Sequence, residues 1–447
     1  MFNRVRYFFS DIVHWARTHL GPAAVGFLVV AAAVVVALFA VGEIGGDEEP
    51  VSSPAPQVIV RTEEAPEETS ELGFPAFATR NTTRVSGIDP VADAAAVALA
   101  THPSTGAVEG PAAVSLVDAA DWPAGIAAAS LAADPVGAPV LLTEGDELPD
   151  LSAEALDALG PTGSPDTDGR ELFAIGTTAP GDVRALEVEG ANPATLAAEV
   201  AKLREELAGA PDHVLIASSD APEFAMPAAA WAARSGDPVL FAQRGSVPQP
   251  TLDALADAGD APVYILGGDR VISPEAEREI DKAAEGPVTR AAEEDDPVAN
   301  AVEFARYVDG SFGWNINDPG HGFVIANVER PADAGAAASL SGSGTWGPLL
   351  LTDDAGKPPP ELEGYLLDLK PGYDDDPTRA VYNHIWLIGD ESAISVDFQA
   401  VVDEIAEVAP IRSGSGESLL GPAPGTPEPE SDQDAGTGQQ QKGSGRK

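Results

Sequence analysis

Short continuous apolar runs, alanine-rich stretches and glycine- or proline-bearing polar segments alternate along this chain, and their order recurs three times at a period of about a hundred residues. The first copy reads Ala113-Val114-Ser115-Leu116-Val117, an alanine-rich stretch to Ala133, Gly137-Ala138-Pro139-Val140-Leu141-Leu142-Thr143, then Leu172-Phe173-Ala174-Ile175-Gly176. The second reads His213-Val214-Leu215-Ile216-Ala217, a helix from Phe224 to Ala233, Gly236-Asp237-Pro238-Val239-Leu240-Phe241-Ala242, then Val263-Tyr264-Ile265-Leu266-Gly267-Gly268. The third reads Phe323-Val324-Ile325-Ala326, a helix from Asp333 to Leu340, Gly347-Pro348-Leu349-Leu350-Leu351-Thr352, then Ile385-Trp386-Leu387-Ile388-Gly389. Runs of this length are what strands buried on both faces look like, and their alternation with helices predicts parallel sheets covered on each side. Each copy is therefore an α/β/α unit. Its central helix, rich in alanine and glycine, lets backbones approach closely but supplies little apolar area, so stability depends partly on the units packing together.

Local punctuation repeats as well. Proline opens the second strand of each copy, where its missing N–H need not break a ladder bond. Ser273-Pro274-Glu275 and Ser395-Val396-Asp397 read as helix starts, with serine capping and acid in the first turn. In the first copy, Gly176 leads through Pro180-Gly181-Asp182 to Val188 with no room for that helix, so this unit is trimmed.

The residues Thr83-Arg84-Val85-Ser86-Gly87, the strands Pro139-Val140-Leu141-Leu142, Pro238-Val239-Leu240-Phe241 and Pro348-Leu349-Leu350-Leu351, and the endings Leu266-Gly267-Gly268 and Ile388-Gly389-Asp390 together resemble the type 2 cell-wall-binding repeat, which occurs as three tandem copies on bacterial surface proteins. The likeness runs from about Arg84 to Ile411. It implies three α/β/α units around a pseudo-threefold axis, noncovalent attachment to an anionic cell-wall polysaccharide, and an acidic and a small residue opening the central helix. Asp333-Ala334 supplies that pair. Asp121-Trp122-Pro123 and Asp220-Ala221-Pro222 depart from it.

From Pro22 to Val41 about 20 residues carry no charge, and at 1.5 Å per residue they reach across about 30 Å of bilayer. Arg4, Arg6 and Arg17 precede the stretch and Asp47, Glu48 and Glu49 follow it, which predicts a cytoplasmic N-terminus and an extracytoplasmic remainder. The predicted organisation is a cytoplasmic segment 1–21, a transmembrane helix 22–42, a spacer 43–78 rich in glutamate and proline, repeats at 79–184, 185–286 and 287–412, and a polar tail 413–447. A cleaved signal peptide is the alternative, disfavoured by the length of the apolar run.

Charge then narrows the partners. With 25 Lys+Arg against 72 Asp+Glu and a formal charge of −47, the chain is no binder of nucleic-acid phosphates. It has no cysteine, and its six histidines show no metal-binding spacing. Gly267-Gly268-Asp269 lacks a phosphate-loop spacing, Ser341-Gly342-Ser343-Gly344 lacks the nucleophile elbow, and lone His213 reads as structural. No catalysis and no obligatory cofactor are expected.

Candidate ligand contacts follow from position. Asp353 and Asp354 end a strand at the sheet edge where open α/β sheets bind ligands, and Trp346, in a glycine-rich loop, could stack on a sugar. A −47 chain facing an anionic polymer needs either an arginine patch of Arg84, Arg290 and Arg330, or divalent cations bridging carboxylates such as Asp353 and Asp354. The arginine route is preferred, because Thr83-Arg84 and Thr289-Arg290 occupy the same place in their units. The expected function is noncatalytic tethering to envelope polysaccharide from a membrane anchor. A scaffold for partner proteins and an enzyme acting on envelope polymers are the alternatives.

Overall fold

The computed structural model describes residues 77–85, 87–103, 110–181, 183–342, 347–373 and 376–410. The expected transmembrane helix, nearly all of the spacer and the polar tail lie outside these residues. Among the described residues no helix is long and apolar enough to cross a membrane.

The described chain opens on β1 (Phe77–Ala78), β2 (Thr82–Val85) and α1 (Pro90–Thr101). A first unit follows with β3 (Val114–Asp118), α2 (Trp122–Ala128), β4 (Val140–Thr143), α3 (Asp150–Leu159), β5 (Leu172–Ile175) and β6 (Ala185–Val188). The second comprises α4 (Pro193–Ala208), β7 (Val214–Ser218), α5 (Pro222–Ser235), β8 (Val239–Ala242), α6 (Gln249–Asp257), β9 (Val263–Leu266), α7 (Pro274–Ala283) and β10 (Val288–Ala292). The third comprises α8 (Pro297–Arg306), β11 (Gly322–Asn327), α9 (Ala332–Gly342), β12 (Leu349–Thr352), α10 (Pro360–Asp368), β13 (Gly372–Tyr373), β14 (His384–Ile388), α11 (Val396–Ala406) and β15 (Ala409–Pro410). Between Ile175 and Ala185 the described residues hold no helix, as the trimmed first copy requires.

These strands build an α/β fold of several parallel sheets, ordered β4-β3-β5-β6, β8-β7-β9-β10 and β12-β11-β14-β2-β1, with β1 antiparallel to its neighbour, while β13 and β15 pair separately as a short parallel ribbon. The proline-led strands lie inside: Val140, Leu240 and Leu350 are at most 1 % exposed, and Pro139, Pro238 and Pro348 are buried beside them. Each proline carbonyl accepts the first ladder bond of the neighbouring strand, from Ser115, Leu215 and Val324 at 2.9, 3.0 and 3.1 Å. A missing N–H therefore costs these strands nothing, while the fixed φ holds the entry.

The sheet boundaries do not follow the partition 79–184, 185–286 and 287–412. β6, which begins at Ala185, completes the first sheet, β10 completes the second, and β2 completes the third by pairing with β14 from Thr82↔Ile385 to Val85↔Ile388. The helix after each of these strands covers the next sheet instead: α1 lies on β4 and α3, α4 on β8 and α6, and α8 on β12 and α10. Hydrophobic pattern marks the existence of a strand but not the neighbour it pairs with, so by sequence order alone the edge strand falls with the copy it precedes. The central helices α2, α5 and α9 pack on one another. A Cβ on Gly335 would come within 2.9 Å of Gly125 backbone atoms, so α2 and α9 cross nearly backbone to backbone.

Candidate functional site at the acidic edge of the third sheet

Closing the third sheet with β2 brings together residues more than two hundred positions apart at the carboxyl ends of its strands. Asp93, in the first turns of α1, and Asp333, in the first turn of α9, are both completely buried. Arg330, in the loop from β11 to α9, lies between them: its Nη2 is paired with Asp93 Oδ2, its Nη2 lies 3.3 Å from Asp333 Oδ1, and its Nε lies 2.9 Å from Asp333 Oδ2. The remaining Asp93 oxygen accepts the Gly87 N–H at 2.7 Å. Burial, reinforced by the charge of Asp333, pushes the Asp93 carboxyl well above its ordinary range. Burial likewise pushes Asp333 up to about 7, against the opposing pull of Arg330. One guanidinium cannot neutralise two dehydrated carboxylates, so the triad favours holding a proton.

Arg84 is 3 % exposed and points along the same edge. Its Nη1 donates to the carbonyls of Gly389 and Asp390, its Nη2 to that of Ser395, and its Nε to Gln399 Oε1 at 3.0 Å. Arg290 does the same in the second sheet, donating to the carbonyls of Gly267 and Ile272 and to Glu277 Oε2. The two arginines are thus equivalent, as their sequence positions implied, but each braces the loop that precedes α11 or α7. The three arginines form no surface patch, because Arg290 belongs to a different sheet and all three guanidiniums are bonded within the protein.

Exposed acids stand at this edge. Asp353 faces solvent, and Asp354 shapes its own loop, with Oδ1 accepting the Gly356 N–H at 2.8 Å and its carbonyl accepting Thr352 Oγ1 at 2.8 Å. Asp390 Oδ1 is occupied by Ser392. Among the described residues no three acidic or histidine side chains gather closely enough to hold a metal ion by themselves. Trp346 lies outside the described residues. Asp93 and Gln399 escaped sequence reasoning, since Gln399 is 315 positions from Arg84 and an aspartate in the first turn of an alanine-rich helix reads as an ordinary helix start.

Residues 187–277 match cell wall binding domain 2. The resemblance to the type 2 cell-wall-binding repeat therefore holds, and the match runs from the end of β6 into α7. Two solved structures from Clostridium difficile share the fold: Cwp6, at 19 % identity and TM-score 0.55 over 72 % of this chain, and Cwp8, at 17 % identity and TM-score 0.55 over 73 %. This chain spans about half of each, 47 % and 52 % of their lengths. No curated protein matches it. At these identities the two structures share the fold with this chain and say nothing about ligands.

Proposed function

We propose that this is an envelope-binding protein whose three α/β units, set about a pseudo-threefold axis, hold an anionic cell-wall polysaccharide outside the membrane. In this reading the apolar segment 22–42 is a single-pass anchor with its N-terminus in the cytoplasm. The observation that carries the proposal is the match of residues 187–277 to a cell wall binding domain, which falls on the middle of three sheets built alike.

The polymer contact runs through shared divalent cations. Arg84, Arg290 and Arg330 have their donors turned inward, whereas Asp353 and Asp354 stand at the sheet edge with hard oxygens that suit calcium or magnesium. The protein supplies too few ligands alone, so polymer oxygens complete the coordination.

Cosedimentation of residues 65–447 with protein-free envelope material tests this. Binding in calcium, release by a chelator, recovery on adding calcium or magnesium, and weakening in the Asp353→Asn, Asp354→Asn double variant are expected. Binding that ignores chelator would remove the cation route. No pelleting under any condition would leave the chain as a scaffold for partner proteins.

A further inference from the structure

On the opposite edge of the second sheet, ahead of β7 and β8, lies a second polar cluster that the proposed function does not use. Asp237 is 1 % exposed and accepts three N–H groups: the His213 backbone on Oδ1 at 3.0 Å, and His213 Nδ1 and Trp231 Nε1 on Oδ2 at 3.1 and 2.8 Å. With Nδ1 facing a carboxylate, the neutral ring carries its proton there and leaves Nε2 as the acceptor. Nε2 lies 3.0 Å from Ser311 Oγ, in the connection between α8 and β11. Tyr264 and Phe312 meet the imidazole edge-on at 5.8 and 5.4 Å and hold its plane.

The bond from Ser311 to His213 is not needed to hold the turn. Asp309 and Phe312 already close it with reciprocal backbone bonds of 2.8 and 3.0 Å, and the Phe312 ring stacks on Tyr264 at 3.6 Å. Ser311 itself is exposed, and it opens on a cavity of about 510 Å³ whose other walls include Arg234, Trp314 and His321. A hydroxyl within reach of an imidazole that a buried carboxylate orients is the arrangement of a nucleophilic hydrolase, recognised by geometry and not by order in the chain.

We propose that Ser311, His213 and Asp237 form a nucleophilic triad that cleaves small carboxylic esters in this cavity. Ser311 Oγ bonds to the ester carbonyl carbon while its proton passes to His213 Nε2. Breaking the carbon–oxygen bond releases the alcohol, which takes that proton. Water then attacks the acyl-serine, giving a proton to His213 that returns to Ser311 Oγ as the carboxylic acid departs. Arg234 is the cationic group in the cavity lining available to the oxyanion. The site is separate from the sheet edge proposed to meet the polymer, so either proposal can fail alone.

The full chain, treated with a fluorophosphonate, should gain one phosphonyl adduct that maps to Ser311 and is absent in Ser311→Ala. Hydrolysis of p-nitrophenyl acetate should fall at least about 100-fold in that variant, with an unchanged thermal midpoint showing that it folds. Since the chain has no cysteine, Ser311→Cys offers a background-free second readout. Its thiol should react with iodoacetamide faster at neutral pH than a free cysteine, because His213 stabilises the thiolate. No adduct at Ser311, or unchanged hydrolysis in Ser311→Ala, or an ordinary thiol in Ser311→Cys, would overturn the triad and leave the serine as a loop contact.

Discussion

Arg330 holds apart two carboxylates that water cannot reach, Asp93 and Asp333, each 0 % exposed. Replacing it by methionine leaves both acids without a cation, and breaking a buried pair from one side costs about 3–5 kcal/mol. Urea unfolding of Arg330→Met should show that loss at pH 8 and a smaller one at pH 5, where the acids can take protons. The lock also makes stability fall as pH rises. Asp333 has a folded pKa raised to about 7 against about 4 unfolded, so the folded state binds the extra proton between those values and loses its advantage as pH climbs through them. Asp333→Asn should flatten this part of the stability profile. At this scale the equivalence of Arg84 and Arg290 was legible, because each follows a threonine in a matching strand. Their task was not, because their acceptors are mostly backbone carbonyls, which carry no residue identity.

The central helices are built mainly from small side chains, and their close crossing depends on them. Gly335 faces Gly125 at a distance that a methyl group would cut to 2.9 Å from backbone atoms, which cannot swing aside. Gly335→Ala should therefore lose about 1–3 kcal/mol despite alanine's better helix propensity. In α10, Gly364 has open space where its Cβ would stand, and Gly364→Ala should gain about 0.5–1 kcal/mol by the same propensity. Denaturation midpoints of the two variants, moving in opposite directions, check that packing and not composition decides. The elements themselves were readable. Proline before three apolar residues marked each second strand, and Ser273 and Ser395 cap α7 and α11 as expected, accepting from Ala276 and Phe398.

Across the whole described chain, an N-terminal strand finishes a sheet that the C-terminal part begins. Thr82, Asn81 and Arg84 bond to Gln399, Asp403 and the loop before α11, and Arg80 pairs with Glu407. Deleting residues 77–85 should therefore cost more than about 3 kcal/mol through unsatisfied buried groups and remove hydrogen-exchange protection from Ile385–Ile388. Placing the same nine residues after Pro410 through a flexible linker should restore it, because Glu407 shows that the two ends lie side by side. The sequence alone determined that there are three units, which strands are buried, that the first unit lacks a helix, and which family the pattern resembles. All of these are written in local order and in the period of apolar residues. Only the tertiary structure decided which sheet each edge strand joins, that the arginines face inward, and that Asp93 meets Asp333 and Ser311 meets His213. Strand pairing and burial of charge depend on contacts between distant positions, and a hydrophobic pattern records whether a residue is buried without recording what it is buried against.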